Sequence, residues 1–266
     1  MAKLKSTRTF QQLRAKGTPI TMVTAYDATF ARLFEQAGVD SILVGDSLGN
    51  VIQGRDTTLP VTIDEMIYHT AAVVRGTTRV HVVADMPFGT YGGAVDESVS
   101  NACRIMKESG AHAVKLEGGL PMAETVERMT AVGVPVMGHL GFTPQSVHRF
   151  GGHYVQGRGE AAESLVADAL ALQEAGAYAV VLELVPAEVA TRVTETLSIP
   201  TIGIGAGNGT SGQVLVGYDM LGMNDEFTPK FLKKFANLSD VIRDATRAYC
   251  DEVRGRTYPA EEHRFE

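Results

Sequence analysis

The sequence predicts an α/β fold, a single-domain (β/α)8 TIM barrel, and three observations carry that expectation. Short runs rich in Val, Ile and Leu recur from one end of the chain to the other, with helix-period segments between them. Helix ends share one grammar: Gln36-Ala37-Gly38, Ser109-Gly110-Ala111 and Ala175-Gly176-Ala177 each lead into an apolar run within a few residues. A glycine there takes the left-handed cap conformation and a strand follows. The length of 266 residues suits one barrel with little left for a second domain.

The strands are expected at 20–24, 41–44, 80–84, 113–116, 134–138, 179–184, 201–204 and 214–216. Most are apolar throughout, as parallel strands covered on both faces must be. Helices are expected between them. Val95, Val99, Ala102 and Met106 share one helical face, and Leu165, Val166, Ala169 and Leu172 share another. Leu238, Val241, Ile242, Ala245 and Tyr249 repeat the pattern near the carboxyl end. Nothing resembles a linker, so 1–266 reads as one domain with a short helical lead-in, a C-terminal helix and a tail. A doubly wound open sheet is the alternative, and it would place its site at the same strand ends.

Composition excludes several classes. With 44% hydrophobic residues and a net charge of −7 (24 basic against 31 acidic residues), the chain is not disordered. Two cysteines cannot staple this length, which fits a reducing compartment. Cys103, beside an apolar stripe, reads as a packing residue. No apolar run approaches the ~20 residues of a membrane span. The start, Met1 to Phe10, lacks the apolar core of a signal peptide. The acidic balance argues against nucleic-acid binding. The expectation is a soluble, intracellular, globular protein.

Helix-to-strand links are short, whereas the segments after the second, third and fifth strands are long and glycine-rich. In a barrel, the links that follow strands line the face that carries active sites. Asp46, Asp85, Lys115, Glu117, His139 and Glu183 all fall where strands end. Lys115 and Glu117 are two apart and share a face, opposite Val114 and Leu116, so both should point into the barrel. Glu183 should do the same, with Leu182 outward.

Acidic oxygens without cysteine or paired histidine form a hard donor set suited to Mg²⁺. Asp46 and Asp85 are the candidate ligands, with Glu117 either ligating or holding a metal-bound water. An ion beside Lys115 would hold a 2-oxo acid and stabilise its enolate. Glu183, set among apolar residues, is the candidate base. His139 orients substrate, donates a proton or packs structurally. Gly203-Ile204-Gly205-Ala206-Gly207 leaves a phosphorylated substrate open. Residue chemistry alone gives a metal-assisted carbon–carbon bond former or breaker. A lyase of the phosphoenolpyruvate/isocitrate-lyase type and a non-catalytic carboxylate-binding barrel are the rival readings.

Longer blocks carry a resemblance. Gly45-Asp46-Ser47-Leu48-Gly49, Ala84-Asp85-Met86-Pro87-Phe88-Gly89-Thr90-Tyr91, Val114-Lys115-Leu116-Glu117-Gly118-Gly119 and Gly138-His139-Leu140-Gly141-Phe142-Thr143-Pro144-Gln145-Ser146 resemble the ketopantoate hydroxymethyltransferases. So do Leu182-Glu183-Leu184-Val185-Pro186 and the tail Tyr258-Pro259-Ala260-Glu261-Glu262-His263, in the same order along the chain. The resemblance implies a Mg²⁺-dependent barrel in pantothenate biosynthesis. Such an enzyme transfers a hydroxymethyl group from 5,10-methylenetetrahydrofolate to 3-methyl-2-oxobutanoate through a Mg²⁺-stabilised enolate, giving 2-dehydropantoate. It further implies Asp46, Asp85 and Glu117 at the metal; Asp46, Ser47, Asp85 and Lys115 at the 2-oxo acid; and Glu183 as the base. His139 matches a position on the folate side. A cytoplasmic homodecamer is implied as well. Asn50 and Arg55 depart from the family pattern, in the long segment after the second strand.

Overall fold

An apolar strand with two covered faces needs neighbours on both edges, and a closed ring of strands supplies them without leaving an edge. The computed structural model describes residues 4–225 and 228–265; residues 1–3 of the lead-in and the last residue of the tail lie outside them. The chain divides into two compact units, Met1–Val216 and Gly217–Glu266. The first runs α1 (Thr7–Ala15), β1 (Ile20–Thr24), α2 (Ala28–Ala37), β2 (Ser41–Val44), α3 (Leu48–Val51), α4 (Ile63–Gly76), β3 (His81–Asp85), α5 (Val95–Ser109), β4 (Ala113–Glu117) and α6 (Ala123–Ala131). It continues with β5 (Val136–Gly141), α7 (Val147–Phe150), α8 (Ala161–Glu174), β6 (Ala179–Glu183), α9 (Ala187–Thr196), β7 (Thr201–Ile204) and β8 (Gly212–Leu215). All eight strands are parallel and close in sequence order, with β8 beside β1. This is the (β/α)8 barrel.

Strand bounds agree with the expectation to within a few residues. The fifth strand starts at Val136 and not Val134, because Pro135 has no N–H to give the ladder. One link departs further: among the described residues, no helix separates β7 from β8. That link lies flat on α9. A Cβ at Gly209 would stand 2.0 Å from the Thr191 hydroxyl, and one at Gly207 2.6 Å from the Ala187 Cβ. Packing against α9 accounts for Gly207 and Gly209.

Two apolar layers hold the first unit together. Outside the strands, Ala84, Val114, Leu116, Val136, Val180 and Leu182 pack with helix residues such as Ala102, Ile105, Val126, Ala169, Leu172 and Val193. Inside, Met22, Leu43, Val83, Ala113, Met137, Val181, Ile202 and Val214 fill the ring. On α5 the fully buried face runs through Ser98, Ala102, Ile105 and Ser109, with Val99 and Met106 at its margin. Cys103, expected to pack, is exposed because it lies off that face.

The amino-terminal end of the ring is plugged by α1. Phe10 is fully buried, and its ring meets His81 at 5.4 Å and Tyr178 at 5.5 Å, both edge-on. His81 Nε2 lies 3.1 Å from the Tyr178 hydroxyl, and the His81 ring stacks on His112 at 5.6 Å. Burial, with the neighbouring His112, pushes the His81 pKa down to about 3.

The second unit holds α10 (Gly217–Met220) and α11 (Leu238–Arg254). The expected α11 stripe forms on one face but is not buried: Val241, Ile242 and Tyr249 are exposed, and Ser239 is the buried residue of the helix. Among the described residues, no helix is long and apolar enough to cross a membrane.

Because folded His81 stays neutral where the unfolded chain takes up a proton, stability should fall as pH drops below 6.5 towards 3. Between pH 7.5 and 5 this group should remove about 2 kcal/mol, and His81→Asn should abolish most of that slope in urea unfolding. An unchanged slope would contradict the buried neutral histidine.

Candidate active site

Inside the ring, the inward position that follows the apolar layer is polar on successive strands. Asp85 succeeds Val83, Lys115 succeeds Ala113, His139 succeeds Met137 and Glu183 succeeds Val181. Strand register then sets their neighbours. Asp85 stands opposite Lys115, Glu117 opposite His139, and Gly141 opposite Glu183. Asp46 and Ser47 enter from the turn between β2 and α3. The parity expectation therefore holds: Val114, Leu116 and Leu182 pack outward, and the charged residues between them face the ring interior.

The group is tightly joined and nearly dry. Asp46, Asp85, Lys115, Glu117 and His139 are each less than 10% exposed, and the Glu183 side chain is 18% exposed. The Asp46 N–H donates to Asp85 Oδ2 at 3.0 Å. Lys115 Nζ lies 3.1 Å from Asp85 Oδ1 and donates to His139 Nδ1 at 3.0 Å. An ammonium has only protons to give, so His139 Nδ1 is an acceptor and its proton sits on Nε2. That Nε2 is 3.2 Å from Glu183 Oε2, while Nδ1 is 3.4 Å from Glu117 Oε1. Ser47 Oγ shares a hydrogen bond with the Tyr26 hydroxyl at 2.8 Å.

Electrostatics follow from that crowding. Burial raises the Asp46 carboxyl well above the usual range, and repulsion from Asp85 and Glu117 adds to it. Burial pushes Glu117 up to about 7, helped by Asp85 and resisted by Lys115. Burial opposes the charge on Lys115, but Asp85, Glu117 and Asp46 outweigh it and its pKa rises. His139 is held neutral by burial and by Lys115. Three carboxyls thus share one ammonium in a place that water barely reaches.

A hard cation fits this shortfall. Among the described residues, no three His, Cys, Asp or Glu groups converge as a ready metal cage. Mg²⁺ does not require one, since it takes one or two protein carboxylates and completes its shell with water and substrate. Asp85 Oδ1 is buried and accepts no well-directed hydrogen bond despite the nearby ammonium, which is how an oxygen kept for a cation would look. Both Glu117 oxygens already have neighbours, Gln145 N–H at 3.0 Å and His139.

The turn beyond Glu183 is strained. Leu184 adopts φ 48°, a left-handed conformation unusual for a branched side chain. Alongside it, a Cβ at Gly141 would stand 2.2 Å from the Glu183 carbonyl oxygen, so Glu183 sits where it does only because Gly141 is bare. Two residues without a role in the sequence reading also belong here. Gln145 and Tyr91 are buried or nearly so and hydrogen-bonded to the acidic cluster. Both lie inside blocks that carry the resemblance, but neither is a usual ligand or base. Asn50 and Arg55 meet each other: Asn50 Nδ2 donates to the Arg55 carbonyl at 2.9 Å, and Arg55 pairs with Glu65 at 2.8 Å.

Comparison with known proteins decides the family. The sequence profile of ketopantoate hydroxymethyltransferase matches residues 5–261. The chain belongs to that family. It is 55% identical over 261 residues to 3-methyl-2-oxobutanoate hydroxymethyltransferase of Syntrophus aciditrophicus, covering 98% of this chain and 96% of that one. The enzyme of the same name from Magnetococcus marinus is 56% identical over 256 residues, covering 96% of each chain. Among solved structures, a phosphonopyruvate hydrolase is similar with a TM-score of 0.65 at 12% identity, covering 99% of this chain and 92% of that chain. A phosphoenolpyruvate phosphomutase from Streptomyces platensis subsp. rosaceus gives 0.64 at 16% identity, covering 98% of this chain and 92% of that one. At such identities these last two share the fold alone.

Removing the ammonium should expose the charge imbalance. Without added metal, Lys115→Met should cost about 3–5 kcal/mol at pH 8, where the buried carboxyls must ionise unpaired. Ionising a carboxyl whose folded pKa is raised destabilises the fold as pH climbs from about 4.5 to about 7, so the loss at pH 5.5 should be clearly smaller. Equal losses in urea unfolding at both pH values would contradict the assignment.

Proposed function

We infer that this chain catalyses the reaction of its family: hydroxymethyl transfer from 5,10-methylenetetrahydrofolate to 3-methyl-2-oxobutanoate, giving 2-dehydropantoate for pantothenate biosynthesis. The observation that supports the reading is the run of contacts from Asp46 through Asp85, Lys115 and His139 to Glu183 at the strand ends of a barrel belonging to this family. Asp46 and Asp85 would hold Mg²⁺, with Glu117 beside them. When bound, the ion supplies Lewis-acid polarisation of the ketone.

The rest is done by side chains. Lys115 brings a lasting positive charge to the 2-oxo acid, and Ser47, fixed by Tyr26, offers a hydroxyl to it. Glu183 takes the proton from C3. Water adds to the methylene carbon of the folate, whose two C–N bonds break to leave formaldehyde and tetrahydrofolate. The electron pair on C3 attacks the formaldehyde carbon, and the alkoxide formed takes back the proton held by Glu183. His139 stands beside the base. Its Nδ1 accepts from Lys115 and its Nε2 stands 3.2 Å from Glu183 Oε2 without a well-directed hydrogen bond, so a neutral imidazole lies between the substrate-holding ammonium and the base. A folate-side contact for His139 is compatible with that place. Cytoplasmic location and homodecameric assembly belong to the same reading. Assembly is supported by the exposed apolar stripe of α11, which a second chain would cover.

Glu183→Gln should lower turnover by about 10²-fold or more while leaving 2-oxo-acid binding nearly intact. Exchange of the C3 hydrogen in deuterated water, followed by NMR without folate, checks this directly; normal exchange in the variant would refute the base. Asp46→Ala should weaken Mg²⁺ and 2-oxo-acid binding together in calorimetry.

A further inference from the structure

The acidic cluster is held by a hydrogen-bonded frame whose members have no part in the chemistry above. The Gln145 side chain donates from Nε2 to Asp46 Oδ2 at 2.8 Å and to the Met86 carbonyl oxygen at 3.0 Å. Its Oε1 accepts from the Tyr91 hydroxyl at 2.6 Å, and that hydroxyl accepts the Glu117 N–H at 3.1 Å. The Gln145 main-chain N–H donates to Glu117 Oε2 at 3.0 Å.

These contacts leave no freedom in the amide. The Met86 carbonyl can only accept, so Nε2 must face it, and Oε1 must then face Tyr91. An amide oxygen can only accept, so the Tyr91 hydroxyl is the donor in that contact. One oxygen of Asp46 is therefore always taken by Gln145. Likewise Oδ2 of Asp85 is taken by the Asp46 N–H. Each carboxylate has one oxygen held in this frame, Oδ2 in both, and the remaining Oδ1 of Asp85 is buried and accepts no well-directed hydrogen bond.

We propose that Gln145 and Tyr91 are positioning residues that restrict Asp46 to a single ligand oxygen and so favour Mg²⁺ over Ca²⁺ at the Asp46–Asp85 pair. Mg²⁺ demands near-octahedral geometry with one oxygen per carboxylate, whereas Ca²⁺ accepts bidentate carboxylates and irregular shells. A carboxylate released from Gln145 is free to turn both oxygens toward an ion. The inference rests on the Mg²⁺ reading of the site, and the test separates the two.

The metal-free full-length protein is titrated calorimetrically with Mg²⁺ and with Ca²⁺, without substrate. Gln145→Met keeps the bulk and removes the donor; Tyr91→Phe keeps the ring and releases the amide oxygen. Loss of an outer hydrogen-bond partner weakens metal binding by about 10–100-fold. Gln145→Met should weaken Mg²⁺ to that extent and Ca²⁺ much less, and Tyr91→Phe should shift the ratio in the same direction by a smaller factor. If Gln145→Met fails to fold, as judged by circular dichroism and melting, Tyr91→Phe carries the test. Folded variants with the native Mg²⁺ to Ca²⁺ ratio would overturn the inference, as would equal losses for both ions. If the native protein binds no Mg²⁺, or if Asp46→Ala binds it as tightly, the site reading itself fails and the inference with it.

Discussion

Three buried carboxyls and one ammonium at the strand ends impose the constraint on which the site depends. Isolated charges do not survive where water is excluded, so each must be neutralised, paired or matched by an ion. Lys115 serves Asp85 and leaves Asp46 and Glu117 only partly compensated, with their proton affinities raised. The imbalance is a standing affinity for positive charge, localised where an anionic 2-oxo acid would need an ion to enter. It is tolerated because the barrel below is ordinary core, closed by Phe10 and ringed by well-packed helices.

The barrel converts this constraint into geometry through register. Neighbouring strands place Asp85 against Lys115, Glu117 against His139 and Glu183 against Gly141, so residues distant in sequence stand within hydrogen-bond reach. Neutral His139 stands between the Lys115 ammonium and the Glu183 carboxylate. Bare Gly141 and left-handed Leu184 let the chain turn away immediately past Glu183. Strain at that turn is offset by the packed outer layer, where Val185 is buried.

Much of this was legible in the sequence because strands and helices have fixed periods. Apolar runs between cap glycines marked the ring, and the two-residue spacing of Lys115 and Glu117 told which way they face. The failures share a cause. Cys103 reads as a packing residue and the α11 residues as an apolar face from periodicity, which says that a face is apolar without saying what covers it. The helix expected between β7 and β8 gave way to a glycine-rich link whose flat packing on α9 depends on a tertiary contact. Gln145 and Tyr91 escaped because an amide and a phenol advertise no chemistry of their own. Their importance appears only when the turn after β5 and the segment after β3 are brought together.

The central claim is that the ion sits at Asp46 and Asp85, drawn by the charge that Lys115 leaves uncompensated. Crystals soaked with Mn²⁺, as an anomalous-scattering substitute for Mg²⁺, together with 3-methyl-2-oxobutanoate test it most directly. The account predicts one anomalous peak about 2.0–2.3 Å from one oxygen of Asp46 and one oxygen of Asp85, with the 2-oxo acid on the same ion. A peak away from this pair, or a bound 2-oxo acid with no ion beside these carboxylates, would contradict it.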